Sequence, residues 1–189
     1  MKAPSENNAP AAKLLAAVLF AARKHRRQRR KDSERTPYIN HPIAVAEALS
    51  RLGGIADLAT LLAAILHDTL EDTETTTREL EEEFGREVCQ LVQEVTDNMS
   101  LPDPERKRLQ IVHAPHLSAA AQQIKVADKL CNLLDLTPDQ PMGWTLERKL
   151  GYLDWAEKVV AGCHGCSREL EDHFNAILNE KRRELAARP

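Results

Sequence analysis

An apolar helix that leads directly into a cluster of charged side chains most constrains how this chain can fold. Residues 58–66 have the sequence LATLLAAIL, and Asp57 in front of them can cap a helix. Because the segment is so strongly apolar, we expect it to lie at the centre of a helical bundle. The next six residues, 67–72, have the sequence HDTLED, with one imidazole and three carboxylates. Acidic side chains are rarely buried without a partner, so the pattern predicts that Asp68 enters the interior beside a cation.

The rest of the chain predicts an all-α fold, arranged as a compact helical bundle. The 189 residues are rich in strong helix formers and contain only 7 Gly and 10 Pro. At this length we expect a single domain over residues 1–189, with residues 1–9 as a flexible N-terminus. Periodic apolar residues and capping signals predict helices at about 10–30, 42–52, 58–66, 76–84, 88–95, from 104 onward, 118–136, 143–163 and 167–187.

No apolar segment is long enough to cross a membrane. The longest, 14–22 and 58–66, fall well short of the roughly 18 residues that a spanning helix needs. Segment 14–22 is followed at once by basic residues, which disfavours a signal peptide. The four cysteines, at positions 89, 131, 163 and 166, are too few for a disulfide framework, although Cys163 and Cys166 have the spacing of half a zinc site or a redox pair. We therefore expect a cytoplasmic protein with no membrane partner, and we interpret the Cys163 and Cys166 spacing as accidental.

The charge of the chain is unevenly distributed. Residues 23–35 contain eight Lys or Arg and two acids, whereas the formal net charge of the whole chain is −3. A basic segment on an otherwise acidic protein predicts an anionic ligand nearby. The charge pattern alone does not separate a small anion from a nucleic acid.

The segment HDTLED can supply both metal ligands and proton-transfer groups. If helical geometry continues beyond residue 66, Glu71 lies one turn from His67, and Asp72 lies one turn from Asp68. One pair could hold a metal ion while the other transfers protons.

A metal ion needs more than two protein ligands, and two further candidates lie elsewhere in the chain. His41 lies at the start of a predicted helix, and Asp128 lies on the helix predicted at 118–136. With His67 and Asp68 they would offer two imidazoles and two carboxylates, a set that suits Mn²⁺, Fe²⁺, Co²⁺ or Zn²⁺ better than Ca²⁺. Such a site leaves positions for water and substrate, and its cation can activate water and polarise a phosphoryl oxygen. The predicted target is a phosphoester.

Seven segments of the chain occur in a characteristic order. They are FAARKH at 20–25, TPYINHP at 36–42, LHDTLEDT at 66–73, FG at 84–85, EVTD at 94–97, ERKR at 105–108 and KVADKLCNL at 125–133. This series resembles the hydrolase domain of RelA/SpoT-type alarmone enzymes, within the HD superfamily of metal-dependent phosphohydrolases. The similarity extends over nearly the whole chain and is greatest to the stand-alone small alarmone hydrolases of the metazoan SpoT type.

The resemblance implies a compact HD-domain bundle that hydrolyses the 3′-pyrophosphate of ppGpp or pppGpp with Mn²⁺ or another divalent transition metal. The roles that it implies are these: metal ligands His41, His67, Asp68 and Asp128; catalytic acids Glu71 and Asp72; substrate contacts Arg30, Lys31 and Asn132. We add Arg23 and Lys24 as basic residues that attract the anionic substrate, and Tyr152 as a base-stacking candidate.

Two features keep alternatives open. Asp103 occupies a loop position where relatives often have a lysine, and Asn98 and Met99 stand where an acid and a lysine are common, so the sequence leaves open whether that loop contacts phosphate. The same site chemistry would also suit another nucleotide, as in an NADPH 2′-phosphatase, because a metal and acids recognise a phosphoester rather than a base. A non-catalytic regulator that senses nucleotides, or binds nucleic acid through residues 23–35, is the other alternative, but intact Glu71 and Asp72 argue against it. The sequence leaves the oligomeric state open.

Overall fold

The computed structural model describes residues 9–137, 139 and 141–187. The expectation of a flexible N-terminus concerns residues 1–9, of which 1–8 lie outside this range. The described residues form ten α-helices, and the all-α prediction is confirmed. The helices are α1 (Ala9–Lys24), α2 (Asn40–Arg51), α3 (Leu58–Leu66), α4 (Thr69–Asp72), α5 (Thr77–Phe84), α6 (Arg86–Val95), α7 (Asp103–His113), α8 (Ala119–Leu134), α9 (Leu146–Gly162) and α10 (Arg168–Ala186), with a short 3₁₀ helix at Ala114–His116.

Helix α3 lies at the centre of the bundle, as its sequence predicts. It packs against α1, α2, α6 and α8, and its residues 62–66 are all buried. Helix α8 also crosses the centre and contacts α2, α6, α9 and α10. Residues 126–131 of α8 are all buried, and they include Asp128 and Lys129. Helix α8 therefore carries charged side chains into the apolar core, whereas α3 is entirely uncharged.

Side-chain caps fix where several helices begin. The carboxylate of Asp57 accepts a hydrogen bond from the Thr60 backbone N–H at 2.8 Å, which starts α3 as predicted. Thr76 caps α5 through the Glu79 N–H, as the predicted capping box requires. Ser118 caps α8 in the same way through the Ala121 N–H. Local sequence thus sets the start of the helices that hold the site.

Two helix predictions need correction. Helix α1 ends at Lys24, not near residue 30, because the chain turns and two backbone pairs, Tyr38 N–H to Gln28 O and Arg30 N–H to Thr36 O, hold residues 28–38 as a loop. The basic residues after Lys24 therefore project from this loop. On α9, Leu146 and Leu150 have the spacing of an apolar helix face, yet they are 47% and 38% exposed.

The helix is also interrupted within HDTLED, although Asp72 stays one turn from Asp68 as predicted, since its N–H donates to the Asp68 carbonyl at 2.9 Å. Helix α3 ends at Leu66, His67 and Asp68 form a turn, and α4 then begins a new short helix. The hydroxyl of Thr69 donates to the Leu66 carbonyl at 2.6 Å and helps to hold this turn. No helix among the described residues is long and apolar enough to cross a membrane.

Candidate metal centre and catalytic site

Three helices bring His41, His67 and Asp128 together in the interior. One ligand atom from each of these buried residues lies within 4.8 Å of the others. His41 Nε2 is 3.1 Å from Asp128 Oδ1, and His67 Nε2 is 4.0 Å from the same oxygen. Since 26 residues separate the two histidines and 61 more precede Asp128, only the packing of α2, α3 and α8 creates this group.

Asp68 lies at the edge of the group. Its Oδ2 is 3.1 Å from His67 Nε2 and accepts a hydrogen bond from the Tyr38 hydroxyl at 2.7 Å. Burial raises the pKa of Tyr38, and the charge of Asp68 raises it further, so the phenol stays protonated and donates to this carboxylate. Asp68 thus contacts His67, while the group whose ligand atoms all lie close together consists of His41, His67 and Asp128.

The orientation of His67 fits a metal ligand. Its Nδ1 lies 2.8 Å from the Ala64 carbonyl and donates to it, which leaves Nε2 directed toward the acids. Nε2 is buried and has no hydrogen-bond partner among the described residues. Burial alone would lower the pKa of His67, but the negative charges of Asp68 and Asp128 outweigh it and raise the pKa to about 9. The same negative surroundings would favour a divalent cation in place of that proton, so these residues fit a metal ion.

Asp128 is held from several sides. Its Oδ1 accepts from the Asn132 amide at 2.7 Å, and its Oδ2 accepts from the Lys129 ammonium at 2.9 Å. Burial by itself would raise the pKa of Asp128, yet Lys129 and His41 hold it well below its ordinary value. Asp128 is therefore an anion inside the core.

Glu71 and Asp72 lie on α4, beside this group. Glu71 Oε2 accepts a hydrogen bond from the Asp97 backbone N–H at 3.0 Å. Burial is the main reason why the pKa of Glu71 and that of Asp72 are both raised, and the charge of Asp68 adds to the rise in each. Carboxyls with a raised pKa near a buried metal group can accept and release protons.

A cleft of about 580 Å³ opens next to the group formed by His41, His67 and Asp128, which we call the metal group. Four of the predicted substrate residues line it: Arg30, Lys31, Asn132 and Tyr152. Arg23 and Lys24 do not line it, and the Lys24 ammonium instead pairs with Glu79 at 2.7 Å. Glu71 and Asp72 line the same cleft, whereas His41, His67 and Asp68 line a smaller adjoining pocket of about 130 Å³ together with Glu71.

Part of the cleft wall was not anticipated from the sequence. Trp144, Tyr152 and Trp155 form a row of rings with centroids 5.6 and 5.3 Å apart, and the Lys129 ammonium lies 4.6 Å from the Trp155 ring centroid. Trp155 lines the cleft together with Trp144 and Tyr152. The sequence could have pointed to Lys129 through its position, because this lysine directly follows Asp128 in an otherwise apolar part of α8.

The first two turns of α7 pair an acid with their own basic residues. Asp103 lies 3.2 Å from Arg106 and 3.3 Å from Lys107, and all three line the cleft.

Elsewhere, Cys163 and Cys166 are free thiols, and burial raises the pKa of each, to about 12 and about 11.

This fold and site define a helical protein in which a buried His and Asp group lies under a charged cleft that can admit a phosphorylated ligand. A family model described as HD domain matches residues 17–150. The chain is 53% identical to the human guanosine-3′,5′-bis(diphosphate) 3′-pyrophosphohydrolase MESH1 over 171 residues, which are 90% of this chain and 96% of the human protein. Its identity to MESH1 of Xenopus tropicalis is 54%, with the same coverage.

A solved structure gives the same result. It is described as a metazoan ortholog of SpoT that hydrolyzes ppGpp and plays a role in starvation responses. Its TM-score to this chain is 0.88 at 46% identity, and the alignment covers 96% of this chain and 98% of the other. The chain therefore belongs to the HD domain family, in the group that includes the MESH1 hydrolases, which confirms the resemblance noted in the sequence.

Proposed function

We propose that this protein hydrolyses the 3′-pyrophosphate of ppGpp and pppGpp, releasing pyrophosphate and leaving GDP or GTP. The observation that carries the proposal is the assembly of His41, His67 and Asp128 under a cleft lined with cationic side chains, in a chain about half identical to the MESH1 proteins. The reaction needs an activated water molecule and neutralisation of several phosphate charges, and this arrangement offers groups for both.

The proposed cofactor is a divalent metal ion, specifically Mn²⁺. His41, His67, Asp68 and Asp128 would hold it, a mixed set of nitrogen and oxygen ligands that suits Mn²⁺. Bound there, the cation would supply Lewis-acid chemistry, activating water and polarising a phosphoryl oxygen. Two neighbours would keep the ligands oriented: the Ala64 carbonyl holds the His67 ring, and the Tyr38 hydroxyl holds Asp68.

Glu71 and Asp72 are the proposed catalytic pair. Glu71 would accept a proton from the attacking water as the water oxygen forms a bond to the phosphorus attached to ribose O3′. The bond between that phosphorus and O3′ then breaks, its electron pair stays on O3′, and a proton delivered through Asp72 or from solvent completes the product hydroxyl. The raised pKa of each carboxyl suits this exchange, because a protonated acid remains available closer to neutral pH.

The cleft residues would bind the nucleotide. Arg30 is fixed by Asn132 at 3.1 Å and by Asp135 at 2.5 Å, so its guanidinium is preorganised to meet phosphate beside the metal group. Lys31 adds a second cation at the cleft, and Tyr152 offers a ring for the base. Arg23 and Lys24 lie outside the cleft lining, so their proposed role is limited to long-range attraction of the anion.

We further propose that residues 1–189 form one HD-type hydrolase domain that acts in the cytoplasm on a small nucleotide. The free thiols among the described cysteines are consistent with a reducing compartment. A nucleic-acid partner is not part of the proposal, because acids such as Glu71, Asp72 and Asp103 line the cleft beside its basic residues and break up any continuous basic surface.

The test uses the purified full chain, treated with chelator and then reloaded with Mn²⁺, Mg²⁺ or Zn²⁺. Incubation with ppGpp should yield GDP and pyrophosphate, with turnover highest in Mn²⁺ and absent after chelation. Asp128→Asn should abolish turnover, whereas the matched change Asp154→Asn, at an exposed carboxylate paired with Arg182, should not. Absence of GDP with every metal would refute the proposal, and faster hydrolysis of NADPH than of ppGpp would redirect it to the other nucleotide.

A further inference from the structure

Gln110, on α7, has an amide group whose orientation is fixed by its neighbour. Its Nε2 donates a hydrogen bond to Asp97 Oδ2 at 2.6 Å. An ionised carboxylate can only accept hydrogen bonds, so the amide nitrogen must face Asp97 and the amide oxygen must point away. Gln110 Oε1 is consequently presented as an acceptor and cannot exchange places with Nε2.

That acceptor is buried and unused in the protein. Oε1 has no hydrogen-bond partner among the residues that the structure describes. Buried acceptors are nearly always satisfied, so a donor from outside the chain is required. Gln110 lines both the nucleotide cleft and the smaller pocket that holds His41 and Asp128, which places it where the two cavities meet.

Asp97 links Gln110 to the proposed base. The backbone N–H of Asp97 donates to Glu71 Oε2 at 3.0 Å, while its side chain accepts from Gln110. The loop that carries Asp97 is itself held by α8, since the Lys125 ammonium donates to the Val95 carbonyl at 2.7 Å. Glu71 and Gln110 are therefore fixed relative to each other, and both line the same two cavities.

We propose that Gln110 is a further catalytic residue, whose Oε1 accepts a hydrogen bond from the attacking water while Glu71 accepts the other. A water molecule has two O–H donors, and when both are engaged its lone pair is free to face phosphorus. As the oxygen attacks, Glu71 takes one proton, and the hydrogen held by Gln110 stays on the new phosphate oxygen. The bond to ribose O3′ breaks with its electron pair on O3′, as in the reaction above. This inference rests on the proposed function.

The test compares two isosteric substitutions in the Mn²⁺-loaded full chain. Gln110→Met keeps the length of the side chain but removes the acceptor, and it also removes the donor to Asp97, which the swapped pair described below restores. Gln123→Met is the matched control, because Gln123 is also a partly buried helical glutamine, bonded to the Cys166 carbonyl at 2.9 Å, and lines neither cavity. Helix α7 contains no buried residue, so we expect Gln110→Met to fold.

We expect kcat for ppGpp to fall roughly 10- to 100-fold in Gln110→Met, the effect of one hydrogen bond made at the transition state. KM, Mn²⁺ affinity and Tm should stay close to wild type, and Gln123→Met should match wild type throughout. Unchanged kcat would overturn the proposal, and so would a rise in KM alone, which would mean that Oε1 binds the substrate instead.

A swapped pair provides a second test if Gln110→Met is poorly stable. In the double variant Asp97→Asn with Gln110→Glu, the new amide can donate to the new carboxylate, whose other oxygen remains an acceptor, and the net charge is unchanged. It should recover kcat relative to Gln110→Met, and failure to recover would overturn the assignment. Wild-type protein that never hydrolyses ppGpp would instead refute the proposed function, independently of Gln110.

Discussion

Replacing Lys129 by methionine removes a buried positive charge while keeping most of the side-chain volume. The residue is 5% exposed, its ammonium lies 2.9 Å from Asp128 Oδ2, and the Trp155 ring lies 4.6 Å away on its other side. Removing one partner of a buried ion pair costs about 3–5 kcal/mol, and here Asp128 would lose the ammonium nearest to it while keeping its contacts with His41 and Asn132. For a chain of this size, each kcal/mol lowers Tm by about 2–4 °C, so the metal-free variant should lose roughly 6–20 °C.

The assay is urea and thermal unfolding of metal-free and Mn²⁺-loaded protein. In the Mn²⁺-loaded protein, Lys129→Met should lose less stability, because a bound cation would still compensate the charge of Asp128. Lys181→Met is the matched control: Lys181 is also mostly buried, at 9% exposure, but its partner Glu184 is 37% exposed at 3.0 Å. A pair with one exposed member contributes at most about 1 kcal/mol. If metal-free Lys129→Met lost less than Lys181→Met, the reasoning about the buried pair would be wrong.

Four further predictions concern acidic residues. Glu71→Gln should lower kcat about 10²- to 10⁴-fold in steady-state assays. Burial raises the pKa of Glu71, so the free energy of unfolding of the wild-type protein should fall as the pH rises through that pKa. In urea unfolding without metal, Glu71→Gln should therefore be more stable than wild type at pH 7 but not at low pH. Because the pKa of Glu71 and that of Asp72 are raised, kcat/KM should begin to fall, as the pH is lowered, at a pH above the ordinary pKa range of carboxyl groups. A pH profile in which kcat/KM falls only near pH 4 would contradict this. Asp57→Ala removes the cap of α3 and should cost about 1 kcal/mol in thermal unfolding with kcat unchanged.

Short-range sequence signals predicted much of the fold. Asp57 and Thr76 cap the helices expected of them, and the apolar run between 58 and 66 is central. These features depend on neighbouring residues alone, so the sequence contains them. The end of α1 does not depend on neighbouring residues alone, because long-range packing and the backbone pairs between 28 and 38 decide where the helix stops.

The candidate ligands were found, but their surroundings were not. His41 and Asp128 were selected through the resemblance and their residue type, and the structure brings them to 3.1 Å. The contact of Lys129 with Trp155 joins α8 to α9, and that of Gln110 with Asp97 joins α7 to the loop after α6. Nothing in the spacing of single side chains specifies such contacts, since they result from how α7, α8 and α9 pack.

The break between α3 and α4 separates two kinds of chemistry that a continuous helix would have kept on one face. A continuous helix would place Glu71 directly over His67. With the turn at His67 and Asp68, those two residues face the small buried pocket, and Asp72 faces the larger cleft. Glu71 alone of these four lines both, so a proton that it accepts at the buried group lies at the boundary with the nucleotide cleft. A substitution that continued the helix through this turn would therefore disrupt metal binding and proton transfer together.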